Sequence, residues 1–168
     1  MMTDFRFLGW VAVIGVAVVF ASATAAQGDE ATSRAMLAKY AGSYDTDAFL
    51  KEPAVRAELL KLLGAEMNHL VHNLSVKGSV DLIGATLSVS GNAPHQGTEE
   101  KAVVCVTPFN MMVEAAAILS KGAVTVFAHA ERYEDATLCI KDWITLANSG
   151  HVGRVEQPAN VRVVRPAR

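Results

Sequence analysis

"KAVVCVTPFNMMVEAAAILSKGAVTVFAHA", residues 101–130, decides the fold. Three apolar runs, KAVVCVT, MMVEAAAIL and AVTVFAHA, are separated only by PFN and SKG. Short Val-rich runs bounded by turn residues read as strands. Links this brief join antiparallel neighbours, because parallel strands need a crossover of a dozen residues or more. The segment is therefore an antiparallel meander.

Upstream, SVKGSVDLIGATLSVSGN alternates in the same way and is broken at Gly78 and Gly84. The two regions together predict a sheet of four or five strands. Before them the period lengthens. In DTDAFLKEPAVRAELLKLLG, Val55, Leu59, Leu62 and Leu63 recur at helical spacing, with Arg56, Glu58 and Lys61 facing away. Asp45 or Asp47 can cap the first turn, Pro53 suits a first helical position and Gly64 is a stop. AEMNHLVHNL predicts a second short helix with Met67, Leu70, Val71 and Leu74 inward. SRAMLAKYAGSY contains a further amphipathic stretch ended by Gly42. After the sheet, YEDATLCIKDWITLANSG returns to helical spacing through Leu138, Ile140, Trp143, Ile144 and Ala147. Helices, an antiparallel sheet and a final helix make an α+β domain, with helices packed on one sheet face. It spans residues 35–150, and the Pro/Arg-rich tail 151–168 is expected to be frayed and flexible.

The first thirty residues have another purpose. Arg6 precedes an apolar run from Phe7 to Phe20, and Ala23-Thr24-Ala25 supplies a small-x-small cleavage signal. This is the layout of a secretory signal peptide over residues 1–25. It implies a periplasmic or secreted protein with no stable membrane insertion after cleavage. The rival reading is an uncleaved anchor, since Phe7 to Ala26 is just long enough to span a bilayer. Four arginines against Glu156 make residues 154–168 basic, and Arg6 offsets Asp4. With a net charge of −2, the body is left at about −5. An acidic body argues against nucleic acid and favours a basic partner. Composition leaves the oligomeric state open, a homodimer included. Cys105 and Cys139 are an even pair in an exported chain and read as one disulfide, the other reading being two buried thiols.

Enzymatic chemistry finds little footing. No G-x-S-x-G elbow, H-E-x-x-H helix or phosphate-binding glycine loop is present. His69 and His72 share a helix face, and His129 or Glu131 would be needed to complete a metal set. Cys105 lies in an apolar run where a thiol is inert. Met111 and Met112 read as core filler. Glu99-Glu100 closes a loop onto a strand, and Glu134-Asp135 complements a helix N-terminus. Neither catalysis, nor a cofactor, nor a metal is called for.

One loop remains. GNAPHQG, residues 91–97, joins ATLSVS to KAVVCV. Gly91 and Gly97 permit unusual backbone angles at both ends, Pro94 fixes one φ, and Ala93 before it is pushed to extended geometry. His95 follows a stiffened pair among polar neighbours and should be exposed. Loops on a rigid sheet are where function concentrates, although a plain connection would read the same way.

An exported α+β chain with Ala-Pro-His in a loop between strands resembles the inhibitor of vertebrate lysozyme (Ivy) family. The pattern of that family is a short protruding loop of the form C-K-P-H-D-C. Laid on this sequence, the loop falls on Asn92, Ala93, Pro94, His95, Gln96 and Gly97. Pro94 and His95 match, and EEKAVVCVTP resembles the strand that follows. The resemblance covers residues 40–130 or so. It implies an inhibitor whose loop enters a lysozyme cleft, the histidine sitting among the catalytic carboxylates. The implied partner is a lysozyme or the cell's own lytic transglycosylase. Both family cysteines are replaced, by Asn92 and Gly97, and Gln96 replaces an acidic neighbour. The alternative is a non-catalytic envelope module that binds a different partner.

Overall fold

The computed structural model describes residues 31–32, 34–109, 112–148 and 157–166. The segment read as a signal peptide lies outside them, as do Met111, Gly150 and His151. Residues 34–40 are helical. Helix α1 (Thr46–Lys51) starts where Asp45 Oδ1 accepts the Ala48 amide at 3.2 Å, so Asp45 rather than Asp47 is the cap. Helix α2 (Pro53–Leu63) opens on Pro53 and stops at Gly64, whose φ of 53° suits a residue without a Cβ. Helix α3 (Met67–Asn73) follows a single 3-10 turn, and α4 (Leu138–Ala147) comes after the sheet.

Among the described residues, seven strands form one sheet: β1 (Val76–Lys77), β2 (Asp81–Ile83), β3 (Thr86–Asn92), β4 (Glu100–Thr107), β5 (Met112–Ser120), β6 (Ala123–Ala128) and β7 (Val161–Val164). The order is β1-β3-β4-β5-β6-β7, with β2 also paired to β3. The meander β3–β6 is antiparallel, as its short links require. Its tightest link is Lys121-Gly122, where both residues have positive φ as a two-residue hairpin turn demands. Strand number exceeds the expected four or five for two reasons. The glycine-broken stretch forms two very short strands along β3. The tail expected to fray also contributes β7, which pairs in parallel with β6 through Val124↔Val161 to Phe127↔Val164.

Side chains alternate across this sheet and build two cores. Leu87, Val89, Ala102, Val104, Ala116 and Ile118 face α1–α3 together with Tyr40, Phe49, Leu59 and Leu70. Val103, Cys105, Ala117, Leu119, Val124 and Val126 face the other way, onto Cys139, Ile140, Trp143 and Ile144 of α4. Helices therefore cover both faces, where one had been expected, because the register puts Cys105 on the face opposite Val104. The Cys105–Cys139 disulfide, with Cα atoms 6.2 Å apart, bonds β4 to α4. Ala115, Ala116 and Ala117 at mid-β5 are all buried, and such small side chains let both helical layers approach closely. Truncating a fully buried residue such as Leu59 to Ala would cost about 2–5 kcal/mol.

Three side chains depart from the expected pattern. Val71 is half exposed, while Asn73 is fully buried. Met112, expected in the core, is 39% exposed. Among the described residues no helix is long and apolar enough to cross a membrane.

Candidate functional site

The β3–β4 hairpin ends in the loop that the sequence singled out. Asn92↔Lys101 is the last strand pair, and the Ala93 amide then donates to the Glu100 carbonyl at 3.0 Å. Ala93 is fully buried, whereas Pro94, His95, Gln96, Gly97, Thr98 and Glu99 are exposed. A turn closes from Ala93 to Gln96, the Gln96 amide donating to the Ala93 carbonyl at 3.1 Å. Pro94 occupies its second position. His95 occupies its third with φ 61°, the arrangement of a type II turn. That third position normally belongs to glycine, although histidine enters the left-handed region more readily than most side chains.

The unusual backbone angle thus falls on His95 itself and not on the flanking glycines. Gly91 serves a different need. A Cβ there would sit 2.5 Å from the Val76 carbonyl oxygen, so the missing side chain is what lets β1 lie against β3. Gly97 needs its small size less, since a Cβ there would meet Asn92 Nδ2 at an ordinary 3.4 Å.

The neck of the loop is densely hydrogen-bonded. The Gln96 carbonyl accepts from the Glu99 and Glu100 amides at 3.0 and 2.9 Å. Asn92 Nδ2 donates to the Ala93 carbonyl at 2.8 Å. The Lys121 amide donates to the Glu99 carbonyl at 3.1 Å and ties the loop to the β5–β6 turn. Asn92 and Gly97, the two positions that differ from the cysteine pattern, remain side by side across this neck.

Beneath it lies a polar cluster that sequence reasoning missed. Glu100 Oε1 accepts from Ser120 Oγ at 2.6 Å, and Oε2 lies 3.0 Å from both His69 Nε2 and Asn73 Nδ2. His69 Nδ1 is 3.4 Å from Glu66 Oε2. Asn73 Nδ2 also reaches the Lys101 and Leu119 carbonyls, each at 3.3 Å. Burial opposes ionisation of Glu100, but the bonds from Ser120, His69 and Asn73 outweigh it and hold its pKa below the usual carboxylate value. The available signal was Asn73 itself, three residues after Leu70 on the apolar face of α3.

His69 is engaged with two carboxylates, and among the described residues no three His, Cys, Asp or Glu side chains converge as a ligand set. The site offers instead one imidazole at the apex of a narrow, rigidly footed turn.

The model of the inhibitor of vertebrate lysozyme (Ivy) family matches residues 54–147, more than half of the chain, from α2 through the loop to the end of α4. The chain belongs to the Ivy family. The Ivy match spans both sheet faces, the loop and both cysteines of the disulfide. Ivy proteins are defined by inhibition of lysozyme rather than by an enzymatic activity, and their protein partner is lysozyme. No curated relative and no solved structure matches this Ivy chain.

Proposed function

We propose that this Ivy-family chain is an exported inhibitor of peptidoglycan-cleaving enzymes, acting through the loop Asn92–Gly97. His95 enters the active-site cleft of the target. Residues 1–25 are removed on export, and the mature domain works in the periplasm or outside the cell. The observation that carries the reading is His95 at the apex of an exposed turn whose foot is fixed by five backbone hydrogen bonds. Glycosidases set two carboxyl groups a few ångströms apart across the cleaved bond. An imidazole placed between them donates to a carboxylate while the backbone of the turn excludes the sugar. An acidic body steers the protein toward a basic lysozyme.

Six loop residues cover less than the ~800 Å² per partner of a standard interface, so flanking surface must contribute. An open groove of about 450 Å³ adjoins the neck, lined by Asn92, Lys101, Val76, Trp143 and Leu146. Val76 and Leu146 are half or more exposed there.

Titration of a lysozyme and of a lytic transglycosylase with the purified protein tests the reading. His95→Ala should weaken the complex by about 2 kcal/mol or more, roughly thirtyfold in Kd. Absence of any complex at tens of micromolar (an order-of-magnitude bound for a specific inhibitor) would sink it. A second reading draws on Asn92, Gln96 and Gly97, which depart from the family loop. The protein would then be an envelope binding module with a different partner, and His95→Ala would leave that affinity unchanged.

A further inference from the structure

We infer that Glu100 is the positioning residue of the loop, its carboxylate pinning the loop's foot to α3 and β5 in place of the loop cysteine bond. The inference rests on the target-binding reading of the loop. Glu100 acts on the loop twice through its backbone. Its carbonyl accepts the Ala93 amide, and its own amide donates to the Gln96 carbonyl, so the first turn is bounded on both sides by this one residue.

The side chain is fixed independently. Three donors from two elements converge on its two oxygens, Ser120 from β5 and His69 and Asn73 from α3. A carboxylate has about four acceptor sites, which matches this demand, whereas an amide would present N–H groups to donors. The side chain of Glu100 keeps only 12% of its surface exposed, and Asn73 is fully buried. Asn73 also holds the Lys101 and Leu119 carbonyls, which fixes the neighbouring backbone of β4 and β5. His69 is itself braced from outside by Glu66.

No covalent bond crosses the loop. A Cβ built on Gly97 would lie 3.4 Å from Asn92 Nδ2, so the two positions face each other without a bond, and the disulfide lies elsewhere, between Cys105 and Cys139. A loop that must be ordered on binding loses affinity, so whatever orders it beforehand sets the affinity. Among the described residues, Glu100 is the one whose side chain is anchored in the body and whose backbone bounds the turn.

The test uses Glu100→Gln, with Ser120→Ala as the milder variant that keeps the carboxylate. Two readouts are taken. In hydrogen exchange, the Ala93, Gln96 and Glu100 amides should exchange about tenfold faster or more in Glu100→Gln, while Val104 and Ile140 keep wild-type protection. In binding to hen egg-white lysozyme, Glu100→Gln should lose about tenfold in Kd. Adding Asn92→Cys and Gly97→Cys to the same chain and oxidising them should restore most of that loss, because a loop bond replaces the missing anchor. Unchanged exchange in the loop overturns the inference. So does equal acceleration throughout the sheet, which marks a stability effect, and so does failure of the oxidised pair to rescue binding. If the wild type binds neither lysozyme nor a lytic transglycosylase, the target-binding reading fails, and the exchange arm still decides whether Glu100 positions the loop.

Discussion

The two ends of β4 are held in opposite ways. Cys105, on one face, is covalently bonded to Cys139 of α4. Glu100, five residues earlier on the other face, is held by hydrogen bonds alone from α3 and β5. The covalent bond serves a layer whose α-helix is the single ten-residue α4. The hydrogen bonds serve a loop whose tip must stay exposed, backed by the larger core under α1–α3. Scaffold and loop are thereby separately secured, and each can be broken without the other.

The largest effect should come from removing the scaffold bond. Cys105→Ala with Cys139→Ala opens a loop of 34 residues and should cost about 3–4 kcal/mol of stability, read by urea unfolding. Target affinity measured well below the unfolding transition should stay within about twofold, because no loop contact is touched. A loss of binding to match the loss of stability would merge the two regions into one. Sharpening the other end is a smaller step. Asn92→Cys with Gly97→Cys in the wild-type chain should tighten target binding by about 1 kcal/mol once oxidised, measured by calorimetry against the reduced form. Below that comes Lys121→Gly. Lys121 has φ 50°, and relieving it should raise stability by about 0.5–1 kcal/mol in thermal unfolding, with the loop tied to its amide unchanged.

The smallest is a matter of sign. The pKa of Glu100 is lowered in the folded state, so its contribution is fully present above the ordinary carboxylate value. It is lost as pH falls through the lower folded value. Loop amide exchange should therefore be steady from pH 7 to about 5, after correction for the intrinsic rate, and accelerate only in stronger acid. The disulfide end should show no such response.

Much of this was legible beforehand, and the reasons for the rest are physical. Asp45, Pro53 and Gly64 act within one turn of themselves, so the helix boundaries could be read locally. The hairpins around β5 were fixed by their short links. The cysteine pair could be read from its parity beside a signal-like N-terminal segment. Strand β7 was hidden because its partner β6 lies more than thirty residues away, and parallel pairing leaves no turn to announce it. The side taken by α4 followed from the parity of Cys105 in β4, which periodicity alone does not expose. At the loop, glycines at positions 91 and 97 drew attention away from His95, which bears the positive φ. Val71 and Asn73 exchanged roles because three acceptors beneath α3 reward a buried amide more than a methyl pair.

The parallel strand β7 has a consequence for how the molecule comes together. Between Ala128 and Val161 the chain must complete α4 and return before the outer edge of β6 finds its partner. Until then Val124, Val126 and Phe127 belong to an open margin, with free amides and carbonyls facing outward. The newest part of the chain is the guard of an older one. A nascent molecule halted after α4 would carry a finished loop and an adhesive flank, and its first risk would be another copy of itself.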